Sequence, residues 1–126
     1  MARRGRSPSE AVRASGDTSL PISEIKAELF KALANPARIR ILEVLSDGER
    51  AVGELQPLVG IEASHLSQQL AVLRRARLVT SRKEGSSVFY AVKDELVVEL
   101  LRVAKRLLIN SLSETSGLLA DLRGAV

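Results

Sequence analysis

The side chains best suited to specific recognition lie in residues 61–75, which read IEASHLSQQLAVLRR. With a helical repeat, Leu66, Leu70 and Leu73 recur at i, i+4 and i+7 and form one apolar stripe, which we expect to be buried. Short hydroxyl and amide side chains lie on the opposite side: Ser64, Ser67 and Gln68. Such side chains can approach base edges in a DNA groove closely. An ordinary amphipathic helix with a solvated polar face shows the same pattern, so this stretch alone leaves both interpretations open.

The sequence offers few groups for catalysis or for metal binding. It has no cysteine, which excludes disulfides, thiolate metal sites and thiol redox switches. His65 is the only histidine, so a zinc or copper site would consist almost wholly of carboxylates, which suit those ions poorly. Nucleophilic catalysis would likewise have a single imidazole to use. We therefore expect no enzymatic activity, no metal site and no cofactor, and we interpret His65 as a DNA contact or a solvated residue.

Positive charge is gathered in two parts of the chain rather than spread evenly. The net charge is +4 over 126 residues. Residues 1–20 carry four arginines against two carboxylates. A second basic group lies within residues 62–92: Arg74, Arg75, Arg77, Arg82 and Lys83. Clustering in an arm and around one helix is the electrostatic footprint expected of a protein that binds double-stranded DNA.

Length and composition indicate one folded domain preceded by an arm. With 45% hydrophobic and 27% charged residues, the chain can form a modest core. Residues 1–20 are rich in Arg, Ser and Gly without an apolar period, so we expect a disordered basic arm that either follows DNA phosphates or is merely solvated. Residues 21–126 would form the DNA-binding and dimerisation domain. Since no apolar run reaches the roughly 20 residues that span a bilayer and no secretory signal is recognisable, we expect a cytoplasmic protein without membrane contact.

Four helices are predicted up to residue 75. The first covers about residues 21–34, and the second covers residues 36–45 with Asn35 as its N-cap. A short helix at residues 52–59 contains a proline, and a glycine turn separates it from the longer helix at residues 63–75. A short helix, a tight turn and a longer amphipathic helix form a helix-turn-helix, in which the second helix is the recognition helix.

The hydrophobic period changes after the recognition helix. Residues 78–82 and 88–92 are β-rich runs, joined by the basic, glycine-containing residues 83–87. This pattern predicts a β-hairpin. Because an isolated hairpin of this length is marginal in water, it should pack on the helices, where it would form a wing.

A last helix is predicted after Asp94, which is placed to cap it. Its apolar residues form two neighbouring stripes: Leu96, Leu100, Val103 and Leu107, and beside them Val97, Leu101, Ala104 and Leu108. This arc is wider than one small domain is expected to cover, so a second copy should bury the surplus in a two-fold dimer. Ser116 and Gly117 are expected to interrupt the helix before the apolar pattern continues.

Several segments, in the right order and spacing, resemble the ArsR/SmtB family of bacterial repressors. They are residues 30–42 (FKALANPARIRIL), 52–55 (VGEL), 66–70 (LSQQL) and 82–85 (RKEG), with Tyr90. The resemblance covers about residues 24–110, and the LSQQL and LRR patterns are similar to those of actinobacterial members. It implies a mainly α winged helix-turn-helix with a small β-hairpin, in the order α-α-α-α-β-β-α, dimeric through the first and last helices.

The resemblance also implies which residues contact DNA and the second copy. The recognition helix would enter the major groove with Ser64, Ser67 and Gln68. The wing would bring Arg82 and Lys83 to the flanking backbone or minor groove. The dimer interface would combine apolar residues of the first and last helices: Ile25, Leu29, Leu100, Leu101, Val103, Ala104, Leu107 and Leu108.

The metal-sensing motifs of the family are missing from this sequence. Residues 51–53 (AVG) stand in place of the Cys-Val-Cys motif of arsenic and cadmium sensors. Of the Asp-x-His pair of zinc and nickel sensors only Asp94 is present, and no cysteine pair exists for redox sensing. The inducing signal stays open between a small-molecule effector in the apolar dimer interface, control by protein abundance alone, and displacement by a partner protein. Arg77 stands where the family usually has glycine, which leaves the local turn open.

These features lead to one functional hypothesis and one alternative. We expect a sequence-specific transcriptional regulator, most simply a repressor, that binds an inverted-repeat operator as a homodimer. The alternative is a winged-helix interaction module that does not bind DNA, and the clustered basic residues argue against it. The expected DNA contacts are Ser64, His65, Ser67, Gln68, Arg75, Arg82 and Lys83, the last three acting mainly on phosphates.

Overall fold

Residues 21–113 and 116–124 are described by the computed structural model, and the expected basic arm at residues 1–20 lies outside them. The described chain is mainly helical with a small antiparallel sheet, as predicted. Its elements are α1 (Ile22–Leu33), α2 (Pro36–Leu45), β1 (Arg50–Ala51), α3 (Val52–Val59), α4 (Ala63–Arg75), β2 (Val79–Glu84), β3 (Ser87–Val92), α5 (Glu95–Ser111) and α6 (Ser116–Arg123).

Contacts divide the chain into two units, Met1–Ala34 and Asn35–Val126, with the boundary inside the expected domain of residues 21–126. The described part of the first unit is essentially α1. The carbonyl of Pro21 accepts hydrogen bonds from the amides of Glu24 and Ile25 at 3.1 and 3.2 Å, which closes the first turn of this helix. Large apolar side chains on α1 remain exposed, among them Ile22, Ile25 and Phe30.

The second unit begins with the cap predicted for α2. The side-chain Oδ1 of Asn35 accepts hydrogen bonds from the amides of Ala37 and Arg38 at 2.9 and 3.1 Å. Pro36 occupies the first turn, where its missing amide proton has no helical partner to lose. Ile41 and Leu42 of this helix are fully buried, so α2 lies at the centre of the core.

The helix-turn-helix consists of α3 and α4, with the bounds predicted from the sequence. Gly60 ends α3 in the left-handed conformation, with φ 81°, and its amide donates to the carbonyl of Gln56 at 2.8 Å. The leucine stripe of α4 is buried as predicted and joins residues of α3 in the core: Leu55, Val59, Leu66, Leu70 and Leu73.

The sheet differs from the predicted hairpin in two respects. The strands are longer than expected, because a two-residue loop, Gly85 and Ser86, replaces the predicted connection at residues 83–87. Gly85 has φ 62° at the first loop position, as tight hairpin turns require, and this places Lys83 inside β2. The second difference is β1, a two-residue strand that pairs with β3 and gives the order β1-β3-β2. Two residues have no detectable period, so the sequence pattern could not reveal this strand.

The end of the fold corrects one further prediction. Asp94 caps α5 as expected, since its Oδ1 accepts a hydrogen bond from the amide of Leu96 at 2.9 Å. The predicted interruption before the final apolar residues is present, but its position is wrong: α5 ends at Ser111, and Ser116 begins α6. Ser116 and Gly117 lie in the first turn of α6, where amides lack helical partners and glycine costs little. Within the described residues, no helix is long and apolar enough to cross a membrane.

Candidate nucleic-acid interface

The polar face of α4 is exposed along its whole length. Opposite the buried leucine stripe, the side chains of these residues are exposed: Ser64, His65, Ser67, Gln68, Ala71, Arg74 and Arg75. The five residues of α4 predicted to contact DNA are therefore all exposed, with His65 on the flank of the polar face that contains Ser64, Ser67, Gln68 and Arg75. Small side chains at the start of the helix and two arginines at its end give this face room for a close approach and a basic margin.

Two hydrogen bonds from α2 fix the helix-turn-helix. Arg38 donates from Nη1 to the side-chain Oε1 of Gln69 in α4 at 2.8 Å. Arg40 donates from Nε to the backbone carbonyl of Val59 at the end of α3, at 3.2 Å. Gln69 is half-buried and structural, whereas its neighbour Gln68 is exposed on the polar face. Two adjacent glutamines thus have different surroundings.

Each end of α4 has a distinctive local geometry. At the N-terminal end, the hydroxyl of Ser64 lies 3.3 Å from the carboxylate Oε1 of Glu62, to which it donates. At the C-terminal end, Arg77 has φ 63° and occupies the left-handed conformation that ends the helix. Among the residues that the structure describes, Arg77 is the one non-glycine residue with a positive φ. The turn therefore keeps the geometry for which glycine is usual.

A cleft of about 420 Å³ separates the recognition helix from the wing. It is lined by residues of α3, α4 and β3: Val52, Ser67, Leu70, Ala71, Arg74, Arg75 and Tyr90. Since Arg74 and Arg75 stand at its margin, the cleft extends the basic edge of α4 toward the sheet. The recognition helix and the wing thus form adjoining parts of one surface.

Strand register places the two predicted wing contacts on opposite faces of the sheet. Ser81 pairs with Tyr90 and Lys83 pairs with Val88, so Lys83 lies on the same face as Tyr90, next to α4. Arg82 pairs with Phe89 and lies on the other face. Consecutive residues of a strand cannot share a face, so Arg82 and Lys83 do not form a single basic patch.

Arg82 is held by two carboxylates, and we refer to Glu49, Arg82 and Glu84 as the wing clamp. Its Nε and Nη2 donate to both carboxylate oxygens of Glu49 at 2.7 and 2.8 Å, and its Nη1 donates to Glu84 at 2.8 Å. The guanidinium carbon lies 4.5 Å from the centroid of the Phe89 ring. These side-chain hydrogen bonds lower the pKa of the Glu49 carboxyl and raise the pKa of Arg82.

Sequence reasoning missed both acidic members of the wing clamp. The alternation of a strand could have placed Glu84 beside Arg82, because the two residues are two positions apart. Glu49 lies 33 positions before Arg82 and comes next to it only through the sheet order β1-β3-β2. Only the tertiary structure reveals this partner.

The residues predicted for the dimer interface have two different environments. On α5, the stripe that contains Leu96 and Leu107 is open, with exposed fractions of 65% and 64%. In the neighbouring stripe, Leu101, Ala104 and Leu108 line a cavity of about 150 Å³ with residues of α2 and α6, and of these three Leu101 is half-buried while Ala104 and Leu108 are still exposed. Leu100 is half-buried and Val103 exposed. On α1, Ile25 is exposed and Leu29 is half-buried.

Among the residues that the structure describes, no three His, Cys, Asp or Glu side chains lie close enough together to hold a metal ion. His65 is exposed on α4 and has no such cluster around it in this part of the chain.

Comparisons with known proteins agree with the fold. Residues 35–81 match the family model described as bacterial regulatory protein, arsR family. The HTH-type transcriptional regulator Rv0081 of Mycobacterium tuberculosis is 50% identical over 106 residues, covering 83% of this chain and 93% of the relative. A crystal structure of Rv0081 matches with a TM-score of 0.71 at 49% identity, over 78% of this chain and 99% of that chain.

Two further proteins extend this comparison. The solution structure of a homodimeric winged helix-turn-helix DNA-binding domain from Mycobacterium bovis has a TM-score of 0.68 at 28% identity, over 89% of this chain and 95% of that one. A biofilm growth-associated repressor of Agrobacterium fabrum is 39% identical over 90 residues, which are 68% of this chain and 77% of the relative. Together with the winged helix-turn-helix described above, these matches show that the chain belongs to the ArsR family of bacterial regulatory proteins.

Proposed function

We propose that this DNA-binding regulator represses transcription by binding an inverted-repeat operator as a homodimer, with α4 in the major groove. The observation that carries the proposal is the exposed polar face of α4, flanked by arginines whose charges point to a polyanionic partner. As a member of a family of transcriptional regulators, the chain is not an enzyme. We place its action in the cytoplasm, as expected for a bacterial DNA-binding protein.

Base recognition is assigned mainly to Gln68. Its amide can donate and accept hydrogen bonds at once, which matches the paired acceptor and donor on the major-groove edge of adenine. Ser64 and Ser67 are short enough to let the helix approach, and His65 would contact a base or a phosphate beside them. The exposure of these side chains supports the assignment.

Phosphate contacts are assigned to Arg75 and Lys83. Both side chains are exposed, and within residues 21–113 and 116–124 neither forms an ion pair. Lys83 lies on the sheet face next to α4, so that both charges could meet the same DNA backbone. Cations of this kind supply affinity that depends on salt but not on sequence.

The dimer is proposed from the exposed apolar stripe on α5. Leu96 and Leu107 are nearly two-thirds exposed and belong to one apolar stripe, and contiguous exposed apolar surface of this kind often marks a protein–protein contact. A second copy of the chain would bury this stripe, together with the apolar residues Ile25 and Leu29 of α1. Two α4 helices related by a two-fold axis would then enter successive major grooves, roughly 34–36 Å apart.

Repression is supported by the name of the Agrobacterium fabrum relative, which is a repressor. Release from DNA would not depend on zinc, nickel, cadmium or arsenite, because the chain has one histidine and no cysteine. A small organic effector could instead act at the apolar surface near the proposed dimer contact.

The test is a titration of the wild-type protein and of Gln68→Ala against DNA from upstream of its own gene and against a shuffled control. The wild type should prefer the upstream DNA. Gln68→Ala should lose about tenfold or more on that DNA, the value of one good base contact, and little on the shuffled one. Equal losses on both would argue against base recognition by Gln68, and the absence of any wild-type binding would overturn the proposal.

A further inference from the structure

We propose that Arg82 is a positioning residue, held by Glu49, that orients the wing so that Lys83 reaches the DNA backbone, and that Arg82 itself does not bind phosphate. This inference rests on the proposed function, since it assigns different roles to two residues of the same proposed DNA-binding surface. It separates two adjacent basic residues that a sequence pattern treats as equivalent.

The first reason is that three of the five N–H donors of Arg82 are already occupied. Three of its N–H groups donate to carboxylate oxygens, two to Glu49 in the forked geometry that guanidinium and carboxylate groups share. The wing clamp contains two carboxylates and one guanidinium, so its formal charge is negative. A DNA phosphate would be repelled by this cluster, and any phosphate bound through more than the two remaining N–H groups would have to displace a carboxylate. The surface around Arg82 is therefore unsuited to phosphate binding.

The second reason is the route that the Arg82 side chain takes. Because the sheet order is β1-β3-β2, Glu49, just before β1, and Arg82 in β2 lie on either side of the central strand. Adjacent strands are about 4.8 Å apart, so the side chain spans the width of β3. It crosses over Phe89 of that strand, with which Arg82 is paired. The Glu49–Arg82 contact therefore ties one edge of the sheet to the other across the face away from α4.

The third reason is that the Glu49–Arg82 contact connects the helix-turn-helix to the outer strand of the wing. β1 contributes only two residues to the sheet and leads directly into α3, the first helix of the helix-turn-helix. Its backbone pairing with β3 is short, so the wing clamp adds a side-chain connection between the helix-turn-helix and the outer strand of the wing. Lys83 is the next residue of that strand and lies on the opposite face. Fixing Arg82 thus fixes the direction in which Lys83 projects.

The experiment measures DNA affinity against salt concentration for the wild-type protein, Arg82→Ala, Glu49→Ala, the double variant and Lys83→Ala. Log K falls as log salt rises, and loss of one phosphate contact decreases the steepness of this fall by about 0.9. Lys83→Ala should show this decrease. Arg82→Ala and Glu49→Ala should each weaken binding about threefold to tenfold with an unchanged slope, and the double variant should bind no worse than either single one.

Arg82→Lys provides a second readout. It keeps the positive charge but cannot form the forked contact, so under this proposal it should not restore wild-type affinity. Three results would each identify Arg82 as a phosphate contact and overturn the inference. They are a less steep salt dependence for Arg82→Ala, wild-type binding by Arg82→Lys, and tighter binding by Glu49→Ala. If the wild type shows no salt-dependent DNA binding, the proposed function fails as well, so the two failures are distinguishable.

Discussion

The backbone amide of Leu78 donates a hydrogen bond to the carbonyl of Leu73, with 2.9 Å between the two atoms. The amide of Arg77 donates in parallel to the carbonyl of Arg74 at 3.0 Å, and Arg77 has φ 63°. This pair of bonds is the Schellman motif that commonly ends helices, and Leu73 and Leu78 are both buried beneath it. The recognition helix therefore ends in a turn that favours glycine but contains arginine.

Replacing Arg77 by glycine should stabilise the protein. A residue with a Cβ atom is strained in the left-handed conformation, and removing the strain should outweigh the greater freedom of glycine in the unfolded chain. We expect Arg77→Gly to raise the free energy of unfolding by about 0.5–1 kcal/mol in urea titrations at fixed protein concentration. Arg77→Ala loses the same charge and keeps the strain, so it should show no gain. Equal stability of the two variants would contradict the expectation.

Much of the helical framework could be predicted because its determinants are local. Asn35 and Asp94 cap helices through atoms two or three residues away, and the buried stripe of α4 follows from spacing alone. The face opposite that stripe is exposed for the same reason. Prediction from local pattern was therefore sufficient for α2, α3 and α4.

The sheet could be predicted only in part, because its details depend on residues far apart in sequence. Nothing near β1 indicates that Arg50 pairs with Tyr90. The partner of Arg82 follows from that pairing, so a basic residue that looked available for phosphate is held by Glu49. Charge and spacing identify which residues are basic, but not which of them already have an acidic partner.

The two adjacent glutamines of α4 should separate stability from specificity. Gln69 accepts the hydrogen bond from Arg38 that joins α4 to α2, so Gln69→Ala should lower the free energy of unfolding by about 1–2 kcal/mol. It should also weaken binding to upstream and shuffled DNA alike, because the helix loses a fixed orientation. Gln68→Ala, the matched control, is exposed and should leave unfolding within about 0.5 kcal/mol of the wild type. Unaltered stability of Gln69→Ala would show that this hydrogen bond does not anchor the helix.

A charge in the exposed stripe of α5 should dissociate the proposed dimer. Leu107 is 64% exposed in the single chain, and Leu107→Glu would place a carboxylate against the apolar surface of the second copy. Sedimentation should show a monomer, and affinity for an inverted repeat should fall about a hundredfold or more, because two linked half-site contacts become independent. Arg106→Glu changes the charge of a neighbouring exposed residue and should leave the dimer intact. A dimeric Leu107→Glu would place the interface elsewhere.

Metal ions should leave DNA binding unchanged. The chain contains one histidine and no cysteine, and the described residues include no cluster of three potential ligands. Operator titrations with zinc, nickel, cadmium and arsenite should therefore coincide with a titration in a chelator. Loss of binding with one of these ions, absent in a His65→Ala variant, would instead reveal a site that includes His65.

Glu43 should make stability depend on pH with an unusual sign. Its half-buried carboxyl borders the cavity formed with Leu101, Leu108 and Leu122. Burial raises its pKa above the ordinary value of 4.5, although the charges of Arg40 and Lys105 act in the opposite direction. A group with a raised pKa binds more protons in the folded chain, so its contribution to stability falls as pH rises through the raised pKa.

Glu43→Gln should therefore become more stable relative to the wild type as pH increases from 4.5 toward neutrality. Glu49→Gln is the matched control of opposite sign, because hydrogen bonds from Arg82 lower the pKa of Glu49. Its carboxylate stabilises the folded chain above the ordinary glutamate pKa and loses that effect as pH falls through the lowered one, so Glu49→Gln should be less stable than the wild type at neutral pH. Free energies of unfolding measured for the wild type and both variants from pH 4.5 to neutrality test these two opposite trends. If Glu43→Gln does not gain stability relative to the wild type as pH rises over this range, the cavity beside Glu43 does not disfavour its charge.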